Sequence, residues 1–138
     1  MATPIQAAAP VAARSSSLPL LCLIAGWLVP GAGHFLLRKP IRGALLFLAI
    51  ITMFAVGISL KGEIYAPSTG DLLNILGFVG QVGSGLLYAL AKMFDWGATS
   101  VTAAVGDWGT KFIVVAGLFN VISAIDAYSL ATGRKPSL

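Results

Sequence analysis

The side chains in this sequence that could do chemistry are few and lie in apolar surroundings. His34 is the single histidine, and it stands in the run GWLVPGAGHFLLRK, residues 26–39, behind Pro30, Gly31 and Gly33 and ahead of Arg38 and Lys39. A neutral imidazole in an apolar helix is a usual axial ligand for haem or a chlorophyll-type metal. That makes His34 the one cofactor candidate. No second histidine and no CxxCH attachment sequence accompany it, so the expectation is no bound cofactor. His34 is instead expected to hydrogen-bond a backbone carbonyl or to sit at an interface.

Asp126 is the second candidate, because a carboxylate inside a bilayer is costly and needs a partner. Asn120, Ser123 and Asp126 step by three residues through an apolar run, which lays them as a polar stripe along one side of a helix. Asn74, Gln81 and Tyr88 recur every seven residues and share a helical face. A proton or ion path would use Asp126, Asn120 and the face of Asn74 and Gln81. The competing account is interhelical hydrogen bonding, worth about 0.6 kcal/mol per bond, and packing is the favoured reading. Asp126 lies five residues from Ala131, about 7.5 Å along a helix, which places it nearer the interface than the bilayer centre. Catalysis has less to work with: no Ser-His-Asp or Cys-His spacing is present. One histidine and five acids, mostly in loops, make no metal cluster. A non-enzymatic protein is expected.

These residues need a setting, and composition supplies it. Charged residues make up 10% of the 138 residues and apolar ones 57%, with a mean hydropathy of +0.90. A soluble domain carries about a quarter charged residues, so a water-facing surface cannot be built from this chain. The net charge of +4 is scattered between apolar runs and forms no basic stripe, which argues against nucleic acid and for charges flanking a membrane. The lone Cys22 excludes an intramolecular disulfide framework.

The elements that must position the candidates are expected to be all α-helical: a polytopic integral membrane protein of about four transmembrane helices. Residues 1–17, rich in Ala, Pro and Ser, read as a disordered tail. A single transmembrane domain covers 18–132, with spans at about 18–37, 43–60, 72–91 and 112–131, and 133–138 forms a short basic tail. Pro30, Gly31 and Gly33 should end the first span in a tight re-entry before the basic turn at Arg38, Lys39 and Arg42. Residues 61–71 read as an exposed connection, with Asp71 as helix N-cap. Four glycines in 72–91 (Gly77, Gly80, Gly83, Gly85) suit close helix packing. The twin Asp-Trp-Gly triplets at 95–97 and 107–109 read as an interfacial loop. Arg14 followed by an apolar core and PGAG also has the order of a signal peptide, but the apolar run resumes at His34 and the segment is read as retained. Leu21 before Cys22 fails as a lipoprotein site. With four crossings, the dense basic turn would be cytoplasmic and both termini outside.

PGAGHF, the basic turn and Gly43 opening the next span together resemble small bacterial membrane proteins related to the two-transmembrane (TM-two) domain superfamily. Asn120 with Asp126-Ala127-Tyr128 and Gly133-Arg134-Lys135 further resembles an uncharacterised bacterial family with this layout. In the superfamily, a Gly-rich stretch with a His or Asp, an aromatic and a basic residue joins two helices. Here Leu36-Leu37-Arg38 replaces its usual Tyr-Leu-Gly. The resemblance implies a fold and a location, the bacterial inner membrane, and no activity. The expected function is that of a small multi-pass structural or interaction protein, or an accessory subunit of a membrane complex. Its partners would be the lipid bilayer and other membrane proteins or a second copy, with no nucleic acid. The alternatives are an oligomeric small transporter or channel using Asp126, and a haem or pigment subunit using His34.

Overall fold

The computed structural model describes residues 17–67, 70–97 and 104–136. These fold into six helices: α1 (Ser17–Leu28), α2 (Ala32–Leu36), α3 (Pro40–Ser59), α4 (Leu72–Val82), α5 (Leu86–Met93) and α6 (Ala104–Ala131). The predicted tail lies, but for Ser17, outside the described residues. α3 and α6 are long and apolar enough to cross a bilayer, and α4 with α5 would add a third crossing if counted as one span. At 1.5 Å per residue they reach about 30 and 42 Å, against a hydrocarbon core of about 30 Å.

The other two apolar runs are not the continuous helices their composition predicts. α1 has 12 residues, about 18 Å, and stops where Pro30 withholds a backbone donor. Gly31 turns the chain at φ 76°, a left-handed conformation open to glycine, and a Cβ there would run into the carbonyl of Gly43. α2 then doubles back. Leu18 at the start of α1 and Leu37 just past α2 pack on the same cluster of Cys22, Ala127 and Ala131, so the chain enters and leaves by one end. The run 72–91 breaks likewise at Gly83-Ser84-Gly85, where α5 turns 112° from α4 through Gly85 at φ 58°.

α6 is the shared axis. α1, α3 and α4 all lie against it. α3 is antiparallel to it, with Gly57 on Gly109 and Ile113. α4 runs alongside it, with Gly80 on Val114 and Gly83 on Gly117 and Val121. Glycines and alanines at these contacts let the backbones approach closely, the usual means of helix packing where hydrocarbon is the solvent. The chain therefore repeats one plan twice, a broken hairpin followed by a long helix, with the second copy inverted. α1–α2 dips in from the end that holds the 38–42 turn and the C-terminus of α6. α4–α5 dips in from the end that holds residues 60–67 and the N-terminus of α6.

This arrangement corrects three expectations. The 38–42 turn and both ends of the helical domain lie together, whereas four crossings would have put them on opposite sides. α6 starts at Ala104, so the second Asp-Trp-Gly triplet is helical and only the first lies in a connection. The connection at 61–71 is only partly solvated: Lys61, Ala66, Pro67, Gly70 and Asp71 are exposed, whereas Gly62 and Ile64 are buried and residues 62–65 run extended against α4, α5 and α6. Asp71 does cap α4, its carboxylate accepting from the Leu73 amide at 3.1 Å.

Candidate functional site

The two hairpin tips meet at Asn120, near the middle of α6. Its side-chain amide donates to the Trp27 carbonyl at 2.8 Å and to the Gly83 carbonyl at 3.0 Å. Both acceptors belong to the last turn or cap of a broken helix, where carbonyls have no intrahelical donor. With no water in a bilayer core, a side chain must supply that donor. One asparagine, fully buried, therefore closes both breaks. Its Oδ1 has no partner.

Toward the basic end, Ser123 lies one turn further along α6, buried, with an unpartnered hydroxyl. Beyond it, His34 Nε2 donates to Asp126 Oδ2 at 3.2 Å. The imidazole is 1% exposed and the carboxylate 28%. The Lys135 ammonium closes over the other carboxylate oxygen, so the C-terminal turn folds back onto the pair. With the Nε2 proton on Asp126, Nδ1 of a neutral ring is a lone-pair acceptor, and it is buried without a partner. The pair was not foreseen, since His34 was expected on a carbonyl or at an interface. His34 and Asp126 are 92 positions apart, and only the α1–α2 hairpin brings them together. The imidazole is enclosed by the fold, with Nε2 turned to Asp126.

Toward the opposite end, a second group of polar side chains holds the extended segment. Gln81 donates to the Glu63 carbonyl and accepts from the Tyr65 amide, each at 2.8 Å, which mimics a strand partner. Thr110 accepts from the Glu63 amide at 2.9 Å, the Tyr88 hydroxyl donates to the Tyr65 carbonyl at 2.8 Å, and Lys92 donates to the Ile64 carbonyl at 3.1 Å. Ser84, fully buried, donates to the Gln81 carbonyl. Burial pushes the Tyr65 phenol up, and the nearby Glu63, Asp107 and Asp71 carboxylates push it further, so it stays neutral beside the clamp at physiological pH.

Of the predicted polar residues, Asn120, Ser123 and Asp126 fall on one line, and Gln81 continues that line beyond the tips. Asn74 is half-buried on α4 and takes no part in the clamp. Gln81 and Tyr88 do converge on one segment, but through the 112° turn and not through a shared helical face. Arg38 and Lys39 hold the turn after α2: the Arg38 amide donates to Phe35 and the Lys39 amide to the His34 carbonyl at 2.9 Å. Sequence reasoning missed Ser84, Thr110 and Lys135. Ser84 between two glycines of an apolar run was the available signal. Among the described residues no three His, Cys, Asp or Glu are grouped to hold a metal ion.

Taken from end to end, His34, Ser123, Asn120, Ser84, Gln81 and Thr110 are the buried polar residues among those described, and all lie beside α6 from its C-terminal to its N-terminal part. Most of these side chains satisfy backbone groups freed at the helix breaks and along the extended segment, and three polar atoms, His34 Nδ1, Ser123 Oγ and Asn120 Oδ1, stay buried without a partner. Neither a curated protein nor a solved structure matches the chain. Residues 21–136 match the family of unknown function DUF6677, which spans both hairpins and the whole polar line, and the chain belongs to that family.

Proposed function

We propose that this chain is a multi-pass protein of the bacterial inner membrane that moves protons across the bilayer as a small transporter, assembled with further copies of itself. The observation that carries this reading is the line of buried polar side chains beside α6, running through the point where two oppositely inserted hairpins meet. Transporters commonly build their sites at the midplane from discontinuous helices of inverted halves. Buried polar groups without partners are rare enough to require a reason, and His34 Nδ1, Ser123 Oγ and Asn120 Oδ1 occur together on this line. Asp126, half-buried and shared by His34 and Lys135, would exchange the proton at the basic end: a proton accepted by His34 Nδ1 from the interior is matched by release of the Nε2 proton to the Asp126 carboxylate.

The second reading, a non-enzymatic accessory subunit, draws on the glycine-rich faces as docking surfaces for another protein. Those faces are occupied within the chain, Gly57 on Gly109 and Gly80 on Gly117, which favours transport. Kinship with the two-transmembrane superfamily is part of the proposal and rests on PGAGHF, the segment that forms the α1–α2 tip and return. Charge asymmetry orients the molecule. The basic end carries Arg38, Lys39, Arg42, Arg134 and Lys135 with one acid, Asp126. The other end carries Lys61, Lys92 and Lys111 against Glu63, Asp71, Asp95 and Asp107. Lysine and arginine collect on the cytoplasmic side, so the basic end faces the cytoplasm.

The test is proton flux into liposomes holding the purified protein and a pH-sensitive dye. Asp126→Asn and His34→Gln should each lower the flux by at least about tenfold, the scale of losing a positioned proton carrier, with unchanged elution in detergent. Wild-type protein with no flux above empty liposomes would replace this reading with the packing one, and variants whose remaining oligomers conduct as wild type does would remove Asp126 and His34 from the route.

A further inference from the structure

The basic end holds a second feature that the polar line does not use. Between α2 and α3 a cleft of about 360 Å³ is lined by Arg38, Lys39, Pro40, Ile41 and Arg42. Arg38 is held at φ 57°, a left-handed conformation uncommon for any residue but glycine. Arg38 and Arg42 are exposed and, among the described residues, neither enters an ion pair. Among the described residues the one acidic side chain at this end, Asp126, is already shared by His34 and Lys135. Arg38 and Arg42 therefore present exposed positive charge at the cleft.

Immediately below it runs an apolar track. Ile41, Leu45 and Leu48 follow one another at four and three residues along α3, which places them on one face, and they are 75%, 64% and 64% exposed. A headgroup-sized basic cleft above a strip of bare aliphatic side chains is complementary to one kind of molecule, a phosphodiester with acyl chains. We propose that Arg38 and Arg42 bind the phosphate of an anionic phospholipid of the cytoplasmic leaflet, with one acyl chain lying along Ile41, Leu45 and Leu48. Basic pockets on the cytoplasmic side of membrane helices recognise anionic headgroups in this way, and arginine's planar fork suits a phosphate. The proposal rests on the bilayer setting and the cytoplasmic placement of the basic end given above, and not on proton transport. It also has a structural consequence for the neighbouring site, because the Lys39 amide hydrogen-bonds the His34 carbonyl. A lipid that orders this turn therefore steadies the imidazole of the His34–Asp126 pair.

The full-length protein in mild detergent, titrated with phosphatidylglycerol or phosphatidylcholine and read by native mass spectrometry, tests it. Wild type should retain phosphatidylglycerol in preference to phosphatidylcholine. The double variant Arg38→Gln with Arg42→Gln should bind it about thirtyfold more weakly, the effect of two surface cations. Ile41→Ser with Leu45→Ser should weaken it as well while leaving every charge in place, and Lys61→Gln with Lys111→Gln at the far end should not. Equal retention of the two lipids by wild type would overturn the proposal, as would undiminished phosphatidylglycerol binding in either cleft variant. Release of the lipid by millimolar inorganic phosphate would overturn it in favour of a free-phosphate site.

Discussion

At the scale of single residues, Asn120 has the widest structural reach. It supplies one amide to two helix ends that belong to different hairpins, and neither carbonyl has another donor in hydrocarbon. Interhelical hydrogen bonds in membranes average only about 0.6 kcal/mol, yet removing this one strands two buried carbonyls, each costing about 1–3 kcal/mol. Asn120→Ala should therefore destabilise the fold by about 2–4 kcal/mol, read from thermal unfolding in detergent, while Asn74→Ala should stay within about 0.5 kcal/mol. Equal effects of the two substitutions would refute the bridging role. The sequence singled out both asparagines alike, since spacing shows which residues share a helix face and not whether a carbonyl waits opposite. The His34–Asp126 pair was hidden for the same reason. Each residue could be read as a group in need of a partner, and nothing local says that the other is that partner.

At the scale of elements, the breaks matter more than the helices. Proline and glycine at 30–33 marked the first break in the sequence, and the structure adds only that the chain reverses there. The second break was legible as glycine content and was read as a packing face, because small residues serve close helix contact and chain reversal equally well. Position in the fold decides between the uses. Gly80 on α4 lies against Gly117 on α6, while Gly85 three residues after α4 takes a positive φ. A side chain at Gly117 would strike the Gly80 carbonyl and push α4 from the axis. Gly117→Leu should cost about 3 kcal/mol, the upper range for overpacking, and lower the flux by displacing the hairpin tip. Gly70→Ala, where a Cβ meets nothing within 4 Å, should leave unfolding temperature unchanged and serves as the control. If both variants melt alike, close approach of α4 and α6 is not what holds the hairpin.

At the scale of the whole molecule, the two hairpins reverse the placement of the ends of the described helical domain. Four crossings would separate those ends from the 38–42 turn, whereas two long helices and two hairpins gather them with five cations. Alkaline phosphatase and fluorescent-protein reporters fused at the C-terminus and inserted between Ala66 and Pro67 should report cytoplasmic and periplasmic placement respectively. The opposite pattern, or a C-terminus on the same side as residue 66, would reject the inverted-hairpin topology. The outcome also bears on the proposed route, because only opposed hairpins bring the tips together at Asn120.

By itself the sequence determined the solvent, the helical class and the positions of the costly polar residues. Those follow from composition and from local backbone chemistry, and both can be summed along the chain. Only the tertiary structure decided which apolar runs stay continuous helices and which turn back, because an apolar stretch satisfies the bilayer equally well either way once a neighbour can hydrogen-bond the break. That neighbour, Asn120, is 93 residues from one break and 37 from the other. Its effect on them exists only when the folded chain brings all three together.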